Sequence, residues 1–318
     1  MFPLFTYSPP SMLKTIATWL SFVKFSHTIF ALPFALAAMV VASRKMDPPG
    51  WPGWKTFLLI IAAMVCARTC AMAFNRIVDR KFDAKNPRTS SRHLPAGELS
   101  VASAVTLCVL SGIGLIAAAG GLNRTCLMLS PIALFFVCFY SLTKRFTDFT
   151  HVWLGIALAL APMGSWLAVH GGLDFNLTLD ADNFLPPVLM SLAVVFWLIG
   201  FDIIYAMQDY EFDKQARLGS LVVRWGPRNA LMAAFLCHMI MWGLLAAFGL
   251  IHRFRIAYFI AMGIILLCLV MEHWLARRRG LGWINVAFFR LNGLISLIYL
   301  VGTTAEVAFP FFRMQVAR

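Results

Sequence analysis

TFLLIIAAMVCARTCAMAFNRIVDRKFD, residues 56–83, decides how this chain folds. Residues 56–74 carry a single charge, Arg68, and are largely apolar on every side of a helix. About 20 such residues cross the hydrocarbon core of a bilayer. Lipid offers a bare backbone no hydrogen bonds, so the segment must be helical. The run ends abruptly in Asn75, Asp79 and Asp83. Steps of four residues hold these three oxygen-bearing side chains within about 80° on one helix face. A membrane span therefore leads directly into a polar, acidic helix end.

The rest of the chain repeats this character. Of its 318 residues, 60% are hydrophobic and 13% charged, against about 25% charged in an ordinary soluble domain. Nine apolar segments can be drawn, at 19–42, 56–74, 101–120, 125–143, 152–170, 186–206, 229–251, 255–275 and 288–310. The expected fold is all-α, a polytopic membrane protein of nine transmembrane helices around a central cavity. No Pro/Gly/Ser linker divides it, so residues 1–318 are expected to form a single membrane domain. β-barrel strands would be half as long and alternating, and that pattern is absent.

Net charge is +13. The basic residues sit in short gaps between spans, which speaks for topological bias and a phosphate-rich ligand rather than nucleic acid. Counting Lys24 and Arg290 with the loops they border, 18 of the 27 Lys and Arg fall with the N-terminus and the even-numbered loops, and eight on the other side. The positive-inside rule places the former in the cytoplasm, with a bacterial inner membrane as the expected location. Seven cysteines lie in or beside apolar runs; Cys66 and Cys70, one turn apart, have no His nearby to complete a zinc site. They read as small buried packing residues. No small-residue cleavage site follows the first apolar run.

A second acidic stretch, DIIYAMQDYEFD (202–213), also follows a span. Asp202, Tyr205, Asp209 and Asp213 recur at helical spacing, and Asp79/Asp83 and Asp209/Asp213 are each 130 residues apart, which hints at a weak internal repeat. Carboxylates at i, i+4 repel, and the repulsion grows near a bilayer unless something neutralises it. Mg2+ suits the task, since it takes one or two carboxylates and completes its shell with substrate phosphates. Arg76, Arg80, Lys81, Lys85, Arg88, Arg92, Lys214, Arg217 and Arg224 alternate with the acids. Acids for a metal and bases for phosphate oxygens together describe a diphosphate clamp. The bland alternative is a pair of salt-bridged helix ends that satisfy one another.

NRIVDRKFD (75–83) running into RTSSRHLPAG (88–97), DIIYAMQDYEFD (202–213) and YSLTKR (140–145) resemble the UbiA superfamily of intramembrane aromatic prenyltransferases. KFSHTIFALPFAL (24–36) and residues 67–97 are similar to its 4-hydroxybenzoate polyprenyltransferase-like branch, in particular to members assigned to the futalosine route of menaquinone synthesis. The resemblance implies an Mg2+-dependent enzyme that moves a prenyl group from a polyprenyl diphosphate to an aromatic acid, either 4-hydroxybenzoate or a dihydroxynaphthoate. By the same resemblance, Asn75, Asp79 and Asp83 would hold one Mg2+ and Asp209 and Asp213 a second. Asp202 and Tyr205 would line the same pocket one or two turns deeper. Where many members carry Asn-Asp, this chain has Asn75-Arg76, so Asp79 and Asp83 must carry the first metal site.

An allylic diphosphate ionises when its leaving group is stabilised. Lys144, Arg145, Arg88, Arg92 and Lys214 are the candidates for that task. Arg68, seven residues before Asn75 and on its face, is expected either to bind the acceptor carboxylate or to pair with Asp202. Tyr140 and Tyr205 offer π faces to a cation, and His27 reads as a packing histidine. An ion-coupled transporter and a non-catalytic membrane scaffold are the rival classes. A transporter places its acids near the midplane on broken helices, and a scaffold leaves the matched acids unexplained.

Overall fold

The computed structural model describes residues 12–24, 30–46, 50–170, 181–278 and 289–309. Within these the chain is helical: α1 (Met12–Phe22), α2 (Ala31–Ser43), α3 (Trp54–Asp83), α4 (Val101–Leu122), α5 (Arg124–Thr143), α6 (Thr150–His170), α7 (Ala181–Ala206), α8 (Tyr210–Gln215), α9 (Leu221–Ile251), α10 (Ile256–Arg278) and α11 (Phe289–Ala308). Eight helices are long and apolar enough to cross a bilayer. Ser100 caps α4 and Asn123 caps α5, each accepting a hydrogen bond from the backbone N–H three residues on, which satisfies the otherwise orphaned first turns. The protein is a multi-pass integral membrane protein.

Among the described residues eight of the nine expected spans are found; the first expected segment, 19–42, includes residues 25–29, which lie outside the described residues. Lys24 adopts a left-handed φ of 51°, and its N–H donates to the Ser21 carbonyl at 3.1 Å. A charged residue inside an apolar run thus closes α1 instead of extending it. The 13 residues of α2 rise only about 20 Å, against about 30 Å of hydrocarbon. Phe34, Ala35, Ala37 and Ala38 are fully buried, so α2 is apolar all round because protein surrounds it. Phe22 and Val23 of α1 pack on Met72 and Ala73 of α3 and Ala104 of α4, beside the acidic end of the bundle. His27 lies outside the described residues.

The two acid-bearing helices are not equivalent. α3 continues as regular helix through Asp83. α7 ends at Ala206, and Met207–Asp209 form a 3₁₀ turn before α8, so the expected even helical step from Asp202 to Asp213 is broken at Asp209. In α9, Gly226 sits at φ 78° and ψ 158° before Pro227 and kinks the helix, which is why its apolar run begins near residue 229.

α6 and α7 run antiparallel in very close contact. The Ser191 hydroxyl donates to the Ala159 carbonyl at 3.0 Å, and one turn nearer the acidic end a Cβ on Gly155 would fall 2.8 Å from the Val195 carbonyl oxygen. At the opposite end of α3, Trp51, Trp54 and Phe57 pack edge-to-face and tilted against one another with both indoles exposed, as in an interfacial aromatic belt. Replacing Gly155 with leucine is expected to push α6 off α7 and destabilise the detergent-purified protein by about 1–3 kcal/mol or more. A thermal unfolding scan beside the wild type checks this, and an unchanged midpoint contradicts the close contact.

Candidate active site

The acid-bearing ends of α3 and α7–α8 meet at one end of the bundle. Arg88, in the connection between α3 and α4, donates through Nε to Asp209 Oδ1 at 2.7 Å, and its Nη2 pairs with Asp209 Oδ2. The same guanidinium reaches the Tyr205 hydroxyl at 3.1 Å and covers the Tyr205 ring. Asn86 Nδ2 also donates to Asp209 Oδ1, at 3.0 Å. One turn further along that connection, Arg92 Nη1 donates to Asp83 Oδ1 at 2.7 Å. Residues 86–92 therefore strap the second acidic motif to the first.

Asp79 faces a third element. Lys144 Nζ lies 3.0 Å from its Oδ2 and Arg145 Nη2 2.9 Å from its Oδ1, while Asn75 Nδ2 donates to Oδ2 at 3.1 Å. The segment carrying Lys144 and Arg145 is held in turn by the second motif, where the Gly219 N–H donates to the Lys144 carbonyl at 2.7 Å. A Cβ on Gly219 would fall 2.4 Å from the Thr147 carbonyl oxygen, so only glycine permits that approach.

Each of Asp79, Asp83 and Asp209 carries basic partners, yet the acids are not saturated. Asp83 Oδ2 is buried with no hydrogen-bond partner, and no salt bridge reaches Asp213 among the described residues. Asp213 lies beside the Asp209 carboxylate on the same acidic end. Two adjoining carboxylates in a partly dry site call for a cation. The basic side is likewise incomplete: burial, then Arg76, Arg92 and Arg88, hold the Lys24 ammonium below its ordinary range. Four cations gathered there call for an anion. Among the described residues no three His, Cys, Asp or Glu side chains form a ready-made ion site. Pairs of carboxylates with open oxygens fit Mg2+ whose remaining ligands come from a bound diphosphate.

Deeper along α3, Arg68 and the Tyr140 phenol open onto an apolar cavity of about 250 Å3 between α3, α4, α5 and α6. Ala67, Ala133, Leu158, Ala161 and Gly164 are among its lining residues. Arg68 Nε is buried and has no hydrogen-bond partner among the described residues. It does not pair with Asp202, one of the two roles anticipated for it: Asp202 Oδ2 lies 2.7 Å from Nδ1 of His151, at the start of α6. Lys214 is the other departure, exposed and over the Tyr210 ring rather than beside an acid.

Three residues of this site escaped the sequence reading. Lys24 was hidden inside an apolar run, and Asn86 was indistinguishable from its polar neighbours. His151 did carry a signal, since an ionisable residue within a span is a functional candidate by default.

Residues 30–294 match the model described as the UbiA prenyltransferase family. The 4-hydroxybenzoate octaprenyltransferase of Methylobacillus flagellatus is 30% identical over 268 residues, which cover 84% of this chain and 86% of that protein. The apo structure of a UbiA homolog from Aeropyrum pernix K1 superposes with a TM-score of 0.78 at 31% identity, covering 87% of this chain and 96% of that one. A UbiA homolog from Archaeoglobus fulgidus bound to GPP and Mg2+ gives a TM-score of 0.66 at 22% identity, over 92% of this chain and 99% of that one.

Thermal unfolding in detergent provides a direct check on the paired acids and bases. Mg2+ and inorganic diphosphate together are expected to raise the midpoint by more than the sum of their separate effects. In Asp83→Asn and Asp209→Asn that excess is expected to vanish; its survival in both variants would place the anion elsewhere.

Proposed function

This chain belongs to the UbiA prenyltransferase family, and from that premise we propose that it prenylates an aromatic acid in quinone biosynthesis, 4-hydroxybenzoate or a dihydroxynaphthoate, using a polyprenyl diphosphate. Its acidic mouth would face the cytoplasm. One observation carries the site assignment: Arg88 and Arg92, four residues apart on one strap, bind acids of opposite motifs. Both motifs can therefore act on a single diphosphate.

In this reading Asn75, Asp79 and Asp83 would hold one Mg2+ and Asp209 and Asp213 a second, and the ions would supply Lewis-acid stabilisation of the leaving diphosphate. The remaining work falls to the protein. Arg88, Arg92, Lys144 and Arg145 now rest on carboxylates, and on substrate binding they turn to the phosphate oxygens. Lys24 and Arg76 complete the anion site from the side of α1. These donors are already in place when charge develops on the leaving group, so they lower the barrier without reorganising. Lys214 meets the diphosphate only at the exposed rim.

Tyr205, fixed beneath Arg88, and Tyr140, beside Arg68, offer ring faces to the allylic cation. Arg68 lies seven residues, or about 10 Å along the helix, below Asn75. It binds the acceptor carboxylate and so sets which ring carbon meets the cation. The apolar cavity takes the prenyl tail and keeps water away, without which the product would be a free alcohol.

Radiolabelled prenyl transfer in membranes, with 4-hydroxybenzoate and a dihydroxynaphthoate offered in parallel, tests this reading. Transfer to one of them, abolished by EDTA, is expected; turnover with divalent ions stripped away would refute it. Arg68→Met should lower transfer at least 100-fold at unchanged expression. Gly164 borders the cavity, and nothing lies within 4 Å of a Cβ placed there. Gly164→Trp is therefore expected to fold normally, accept geranyl diphosphate and reject long donors; equal use of both would remove the tail from this cavity.

A further inference from the structure

His151 and Asp202 form a buried pair that the metal and diphosphate chemistry leaves unused. His151 is 1% exposed. Its Nδ1 lies 2.7 Å from Asp202 Oδ2, and its Nε2 is buried without a partner among the described residues. Asp202 stands on α7 seven residues before Asp209, about two turns below the metal-binding level. Its side chain keeps 23% exposure, and no second hydrogen bond reaches its carboxylate among the described residues. Tyr140 lies within electrostatic reach of Arg68, Asp202 and Asp79. Asp202 and Arg68, the residue assigned to the acceptor carboxylate, thus both lie near Tyr140.

The partner's identity matters. An arginine would cover the carboxylate with a bidentate ion pair. A neutral histidine donating from Nδ1 holds one oxygen, keeps the side chain in a single rotamer and leaves the other oxygen free. The contact exists because α6 and α7 approach closely at Gly155 and Val195, one turn from His151 and two from Asp202. Nothing in the diphosphate clamp requires a carboxylate at this depth, whereas electrophilic aromatic substitution requires a base there.

We propose that Asp202 Oδ1 accepts the ring proton in the step that restores aromaticity, and that His151 is the positioning residue that holds Asp202 for it. This rests on the prenyl-transfer reading above. The allylic C–O bond breaks with its electron pair on the diphosphate, and a ring carbon of the acceptor bonds to the prenyl carbon. The C–H pair at that ring carbon then returns to the ring as the proton passes to Oδ1. The carboxylic acid gives its proton to water at the acidic mouth as product leaves. His151 holds its hydrogen bond to Oδ2 throughout.

A ring-deuterium isotope effect separates this role from a structural one. Ring-deuterated 4-hydroxybenzoate and a ring-deuterated dihydroxynaphthoate are offered to wild type, Asp202→Asn, His151→Leu and His151→Asn. Release of free prenol from the donor is followed in parallel without acceptor. In wild type the ring proton leaves after the slow ionisation, so the isotope effect should be near one. Asp202→Asn should lower transfer about 100-fold, raise the isotope effect to about twofold or more and leave metal-dependent prenol release unchanged. His151→Leu should do the same to a smaller extent, and His151→Asn, whose amide N–H replaces Nδ1–H, should recover transfer to within about threefold of wild type. An isotope effect that stays at one in Asp202→Asn, or an asparagine variant as poor as the leucine one, overturns the proposal. If wild type prenylates neither acid, the acceptor assignment fails separately, and prenol release still decides the pair. Its loss in Asp202→Asn would move that carboxylate to the donor side and sink the proposal, and its retention keeps it.

Discussion

Mutual repulsion among carboxylates at one end of a membrane bundle is the constraint on which the rest of this structure turns. Asp79, Asp83, Asp209 and Asp213 come from two helices far apart in sequence, and apolar packing alone gives them no reason to meet. Arg88 on Asp209, Arg92 on Asp83, and Lys144 with Arg145 on Asp79 supply that reason. Single exposed ion pairs contribute little, but these belong to one network in a partly dry mouth, where low dielectric strengthens every contact. On the proposed reading the same cations would move to phosphate oxygens when substrate binds, so the salt-bridged ends and the diphosphate clamp would be one set of residues in two arrangements.

Below that mouth the two halves of the bundle solve different problems. The half built from α3, α4, α5 and α6 is loosely filled and encloses the apolar cavity, with Arg68 as its polar anchor. The half built from α7, α9, α10 and α11 is closed with internal polar bonds. Trp197 Nε1 donates to Asn292 Oδ1 at 2.8 Å, His238 Nδ1 and His273 Nε2 lie 2.9 Å apart, and the Tyr258 N–H donates to buried Glu306 at 3.1 Å. In lipid, where apolar burial drives helices together only weakly, such bonds and close glycine contacts do the holding. Gly200 shows the tolerance: a Cβ there would lie 2.4 Å from the His238 ring.

Most of the architecture was legible because lipid makes hydropathy decisive. Long runs such as 101–120 and 125–143 have one solution in a bilayer, and Val101–Leu122 and Arg124–Thr143 realise it. Averaging over residues 19–42 hides Lys24, whose left-handed φ follows the end of α1, and the burial of α2 on all sides. The break at Met207–Asp209 was also invisible, since spacing by four looks alike in a continuous helix and across a 3₁₀ turn.

The sequence by itself determined the membrane class, the helical content, the acidic ends and their surplus of positive charge, because these depend on residue type and on spacing along one helix. Only the tertiary structure decided the pairings. Arg88 was one cation among many until the strap set it on Asp209, and Asp202 was open to Arg68 until α6 brought His151 to it. Local spacing specifies which face of a helix a side chain occupies. What that face meets depends on interhelical approach, and here a Gly155 without a side chain, packed on the Val195 backbone, sets the approach.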